Sequence, residues 1–198
     1  MGNRISLQTI CFRILFLGVV LSLAVAVSSF AAGTRDRERI LVGLDLFPSL
    51  LAADRDIARK VGSDGKLHLF LIYRDDPVDC HPFAEKLRRI GTVRNIPIQV
   101  DFVRLPLRDE KLPVPAGVFV LQHLSRSEIG RLVRFGTGHG IITFSPFAGD
   151  VEAGILAGIF ITDRVLPYVN LETVQRSSVR LKPFFLRIAK TYAPDKAQ

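Results

Sequence analysis

Short apolar runs alternate with amphipathic stretches through most of this chain, and that alternation predicts a layered α/β protein. Leu67–Tyr73 is apolar between turn residues and predicts a buried strand. Residues 82–90 place Phe83, Leu87 and Ile90 on one side, with Pro82 in the first turn and Gly91 past the end, as in a short helix. Over 96–105, Ile98, Val100 and Phe102 alternate with Gln99 and Asp101, the pattern of a second strand. A proline-punctuated loop over 106–115 leads to a third strand at 118–122. Ser125 followed by Glu128 is a capping-box pattern, so a helix is expected over 125–135, then a fourth strand at 141–144. Ahead of all these, 40–61 carries Phe47, Leu50, Leu51, Ile57, Ala58 and Val61 at helical spacing, with Pro48 leaving the boundary open. Residues 33–38 are charged and expected to fray.

The last third changes character. Ile155, Ala157, Ile159 and Ile161 share one face of a strand over 154–162, and Gly158 on the other face permits close packing or a bulge. A turn at Asp163-Arg164 and a strand over 165–169 complete a hairpin. Asn170 then caps a short helix. The terminal stretch places Leu181, Phe184, Phe185, Ile188, Ala189 and Tyr192 on one side of a predicted amphipathic helix. The continuous apolar strands predict a sheet with helices on both faces, followed by a C-terminal β-hairpin and an amphipathic helix.

The start of the chain belongs to a different class. Residues 1–13 hold two arginines and no acid, 14–27 are apolar or small, and Ser29-Phe30-Ala31 offers small residues where a signal peptidase reads. A signal peptide over 1–31 is expected, leaving one domain over 32–198; an uncleaved anchor is the rival reading. Of the two cysteines, Cys11 would leave with the leader, and Cys80 alone cannot form an intramolecular disulfide. Arg4 and Arg13 would leave as well, taking the formal charge from +8 to +6. The remaining basic residues are spread along the chain, which argues against nucleic acid and leaves an anionic membrane surface or an acidic partner open.

Candidate chemistry is sparse. Gly136 to Gly140 lies between a helix and a strand, the wrong polarity for a phosphate loop, and fits a helix C-cap. The segment 75–81 sets Asp75, Asp76, Asp79, Cys80 and His81 after a strand, where α/β proteins keep their sites. Its spacing matches no zinc pattern, so no metal or cofactor is expected, and a polar loop with capping acids is favoured. His123 ends a strand and is placed to approach that loop; His68 and His139 read as surface or packing histidines. Ser145 before Pro146 reads as a turn, and Asp150 as a turn former with ligand contact as the minority reading. Asp163 and Arg164 at the hairpin tip are plausible partner contacts.

Gly149-Asp150, the strand Gly158-Ile159-Phe160-Ile161, Asn170-Leu171 and the terminal Phe185-Leu186-Arg187-Ile188-Ala189 together resemble the C-terminal half of the YfiR-like family. The resemblance covers about a quarter of the chain. It implies a periplasmic domain of Rossmann-like layering, often dimeric. It also implies a non-enzymatic repressor that acts on the periplasmic sensor region of an inner-membrane diguanylate cyclase. Ser177-Ser178 stands where the family pattern has a glycine, and Cys80 alone cannot supply the disulfides known in the family. The alternatives are a periplasmic small-molecule-binding protein using Asp75, His81, His123 and Ser145, or a hydrolase.

Overall fold

A computed structural model describes residues 33–75, 80–106 and 113–194. The expected leader, the acids Asp76 and Asp79, and most of the proline loop lie outside the described residues. The chain divides into a unit over Met1–Glu38 and a larger unit over Arg39–Gln198. Residues 33–38 are helical, which corrects the expectation of fraying. No helix among the described residues is long and apolar enough to cross a membrane.

In the larger unit, α1 covers residues 39–53. Ile40, Leu44, Phe47 and Leu51 recur every three or four residues and are all buried. The helix ends earlier than the apolar spacing implied. The remainder of the predicted segment is a turn of 3-10 helix, Ile57–Lys60.

Eight strands form one sheet: β1 (Leu67–Tyr73), β2 (Thr92–Val93), β3 (Ile96–Arg104), β4 (Gly117–Val120), β5 (Ile142–Ser145), β6 (Ala157–Ile161), β7 (Val165–Asn170) and β8 (Lys190–Tyr192). Their order is β2-β3-β1-β4-β5-β6-β7-β8. β3, β1, β4, β5 and β6 are mutually parallel, β2 runs antiparallel to β3, and β7 runs antiparallel to β6 and parallel to β8. The parallel core is thus a doubly wound sheet whose winding reverses between β1 and β4. β2 was not anticipated. It closes a two-residue hairpin through Arg94 and Asn95, both at positive φ (51° and 64°), and this pair lacks the Asn-Gly signature of such turns.

Alternation of side chains assigns the two faces. Phe119 on β4 and Phe144 on β5 stack with centroids 5.2 Å apart, and Phe47 of α1 packs on both at 5.5 and 5.7 Å. Gly117 shares their face, and a Cβ there would lie 2.7 Å from Leu51 and 2.8 Å from Phe47, so the missing side chain lets α1 seat. α2 (His81–Ile90) joins this side, with Lys86 paired to Asp45 of α1 at 2.7 Å. α3 (Arg126–His139) lies on the opposite side, where its Gly136 abuts Thr143. Helices therefore cover both faces, as expected for continuous apolar strands.

The expected capping box is present: Glu128 N donates to Ser125 Oγ at 3.4 Å, and Ser125 N donates to Glu128 Oε2 at 2.8 Å. α3 runs one turn further than expected, to a C-cap at Gly140 with φ 64°. Asn170 caps α4 (Leu171–Arg176) by accepting from Thr173 N at 3.0 Å.

The C-terminal tail corrects the sequence reading. The helix there, α5, is short (Pro183–Ile188), and the chain then leaves it to form β8 beside β7. Tyr192 is thus a strand residue. Leu181 and Phe185 are buried, but Phe184 and Ile188 of the predicted packing side are exposed. Backbone bonds from Arg55 N to Arg180 O (2.9 Å) and Lys182 N to Ala53 O (2.9 Å) hold the entry to α5 against the end of α1.

Candidate functional site

A doubly wound sheet offers a crevice at the carboxyl ends of its strands, where the winding reverses. Here that place lies between the ends of β1 and β4. Gln122, just past β4, fills it: its Oε1 accepts from Arg74 N (2.8 Å) and Asp75 N (3.0 Å). One amide side chain therefore satisfies both backbone donors that follow β1. The Asp75 carboxylate, exposed, accepts from Arg74 Nε at 3.1 Å.

The next strand end is more tightly built. Ser145 Oγ donates to Asp150 Oδ2 at 2.6 Å and accepts from Phe147 N at 3.2 Å, with Ser145 and Asp150 both buried. The His123 ring lies 4.0 Å from that of Phe147, centroid to centroid. Arg39 Nε donates to the Pro146 carbonyl at 2.7 Å, fixing the turn from the side of α1. Ser145, His123 and Asp150 are thus neighbours, but the connectivity is wrong for nucleophilic catalysis. The serine proton is directed at the carboxylate rather than at the imidazole, and the hydroxyl is fully buried.

Burial raises the Asp150 carboxyl above its ordinary value, with the Ser145 hydroxyl and the His123 charge opposing the shift. A raised folded value penalises the ionised form. The stability from this residue is complete below the unfolded carboxyl value and falls as pH rises through the folded one. Asp150→Asn, which can still accept from Ser145, is expected to flatten the loss of melting temperature between pH ~4 and pH ~7. Thermal melts across that range check it; an unchanged slope in the variant overturns the assignment.

The sequence candidates scatter along this edge. His81 opens α2 and meets Phe102 of β3 edge-on at 5.4 Å, whereas His123 belongs to the β5 end. Three strand spacings, ~14 Å, separate β3 from β5. Asp75, His81 and His123 thus occupy three different strand ends. No group of three or more metal-ligating side chains occurs among the described residues. Cys80 is buried at the N-cap of α2. Asp163 and Arg164 form the exposed hairpin tip, where Thr162 Oγ1 donates to Asp163 Oδ1 at 2.8 Å. A cavity of about 110 Å³ between the end of β3 and α3, lined by Leu105, Arg131 and Phe135 among others, is smaller than the few hundred Å³ typical of a ligand pocket.

Sequence reasoning missed Gln122, because a lone glutamine after an apolar run carries no pattern. It also missed the apolar surface at the far edge. Four of the six large hydrophobic side chains exposed among the described residues are there: Ile161, Val165, Phe184 and Ile188. Ile161 and Val165 are paired neighbours beside the hairpin tip and share the face of Ala157 and Val169, which is the α1 face. α5 is tied to the end of α1 and puts Phe184 and Ile188, one turn apart, on its outer side. The signal was present as an amphipathic spacing; the break after Ile188 turned that face outward.

No family model matches this chain. No curated protein matches it either. Among solved structures it is similar to the ABC domain in complex with L-Trp from Streptococcus pneumonia, with a TM-score of 0.46 and 11% identity over 72% of this chain. The match spans 60% of that domain's length, less than two thirds, and at this level it says nothing of what this chain binds.

Proposed function

We propose that this protein is an exported, non-enzymatic regulator that works by binding another protein. Its target, on this reading, is the extracytoplasmic sensor region of an inner-membrane diguanylate cyclase, whose output it lowers. The observation that carries the proposal is the apolar edge formed by Ile161 (45% exposed), Val165 (40%), Phe184 (51%) and Ile188 (56%). Ile161 and Val165 adjoin across the hairpin and Phe184 and Ile188 adjoin along one turn of α5, and a monomer gains nothing by leaving such apolar pairs in water; exposed apolar surface of this kind marks contact surfaces. The edge falls within the segment that resembles the YfiR-like family. Arg164 and Arg187 stand beside it and suit an acidic rim on the partner.

Repression then needs only differential affinity. If the protein binds the inactive state of the sensor region more tightly than the active one, it shifts the population by that difference. Phe184 and Ile188 are the contacts expected to matter most, since truncating exposed aromatic anchors typically costs ~2 kcal/mol of binding, roughly thirtyfold in Kd. In a pull-down from detergent-solubilised membranes, the native protein should recover a membrane cyclase and the Phe184→Ser/Ile188→Ser double variant should not. Recovery of no sensor protein by the native chain sinks the proposal. A concentration-dependent dimer lost in the same variant would instead assign the edge to self-association.

A second reading, a small-molecule-binding protein, is favoured by the place where the winding of the sheet reverses, at Asp75 and Gln122. Gln122 already occupies the backbone donors a ligand would use there, so the first reading is preferred.

A further inference from the structure

A cleft lies at the amino ends of the strands, away from the carboxyl ends that hold Asp75, His123 and Ser145. It has a volume of about 660 Å³, within the range of small-molecule sites. Three elements converge on it. The 3-10 turn brings Arg59 and Lys60, the last residue of α3 brings His139, and the link between α4 and Leu181 brings Ser178 and Arg180.

We infer that this cleft binds a small molecule through an oxyanion, a phosphate or a carboxylate. The charges favour it. Arg59, Lys60 and Arg180 are set against only two carboxylates, Asp54 and Asp56. Lys60 Nζ lies 2.6 Å from the buried Asp54. Arg180 donates Nε and Nη2 to Asp56 at 2.5 and 2.6 Å, and its Nη1 takes no part in the pair. Arg59 Nη1 stands 3.6 Å from the same carboxylate, beyond a hydrogen bond, and its side chain is 81% exposed. One cation in three is therefore without a carboxylate of its own. The fork of Arg59 and the remaining arm of Arg180 supply the planar donors that oxyanions select.

Neutral donors complete the cleft. The exposed Ser178 hydroxyl makes no hydrogen bond among the described residues. His139 spends Nδ1 on the Phe135 carbonyl at 2.9 Å, which leaves its other nitrogen for a ligand. One feature opposes an anion: α3 ends here, and a helix C-terminus carries about half a negative charge. The excess guanidinium outweighs it, and Gly140 N caps part of that end by donating to the Gly136 carbonyl.

The test is calorimetric titration of the purified protein with inorganic phosphate and, separately, with citrate, at constant ionic strength. The same titrations are made on Arg59→Gln and Ser178→Ala. Both positions are exposed, so neither substitution disturbs the core. The expected result is saturable binding of one or both probes that weakens about tenfold in Arg59→Gln and less in Ser178→Ala. Saturation by phosphate alone would assign a phosphoryl ligand, and by citrate alone a carboxylate. No saturable binding of either probe, or equal affinity in native protein and both variants, overturns the inference.

Discussion

Replacing Gly158 by alanine should destabilise the protein by ~3 kcal/mol or more, the largest effect expected of a single methyl group added to any glycine among the described residues. Gly158 stands opposite Ser145 where β6 joins β5. A Cβ there would overlap the Ser145 carbonyl oxygen and lie 2.8 Å from a methyl of Val151. The carbonyl is backbone, at the end of β5 where it pairs with β6, and has no rotamer by which to yield. Ser145 also holds Asp150 through its hydroxyl, so a shift there would disturb the turn after β5 as well. A typical domain has only ~5–15 kcal/mol in hand, so denaturant melts should show a large fall in the midpoint. Gly138→Ala is the control: its Cβ meets nothing within 4 Å, and in a helix it should be neutral or slightly stabilising. A Gly158→Ala midpoint equal to the native one would show that β5 and β6 pair more loosely than the register indicates.

Asp54→Ala should be nearly as damaging. Asp54 is fully buried and meets Lys60 Nζ at 2.6 Å, with the lysine side chain only 16% exposed. Its other oxygen accepts from Asp56 N at 3.0 Å, closing the turn after α1. Removing the carboxylate would strand a largely buried ammonium, a defect that typically costs ~3–5 kcal/mol. The damage should spread, because the backbone bridge between Asp54 and Leu181 anchors the entry to α5. Lys60→Met in the Asp54→Ala background removes the stranded charge and should recover much of the loss. A double-mutant cycle on chemical denaturation reads the coupling. Additivity of the two single changes would show that the pair contributes nothing to folding.

Much of the architecture was legible because its elements are governed by local rules. β1 coincides with the predicted strand, since an apolar run between turns admits few alternatives. The Ser125-Glu128 box and the Asn170 cap formed as expected, because a cap is satisfied within four residues and needs no distant partner. The errors arose where tertiary contacts decide. Over 181–192 the helical spacing is real, yet the edge of β7 offered open hydrogen bonds to Lys190–Tyr192 and took the tail away from the helix. Pairing of 53–55 with 180–182 divided the predicted 40–61 helix, a contact made across more than 120 residues that no local window contains.

The candidate sites were less legible than the fold. Asp75, His81 and His123 follow apolar runs in the sequence, and they do lie at strand ends. Which strands are neighbours was not readable, and that decides whether such residues meet. Ser145 and Asp150 do meet, but the buried hydrogen bond between them fixes a turn. Asp56, Arg59 and Arg180 drew no notice, because an ion pair spanning 124 residues leaves no local pattern.

The order of the central strands also sets how the chain reaches this state. Leu67 pairs with Ile98, and Leu69 with Gly117, so the innermost strand cannot find either neighbour until a long intervening stretch has been synthesised and looped back. Chains dominated by such distant pairings fold slowly, because loop entropy is lost before contact energy is gained. Under the export proposed above, a sluggish collapse is an advantage: it keeps the extended thread open long enough to cross a membrane.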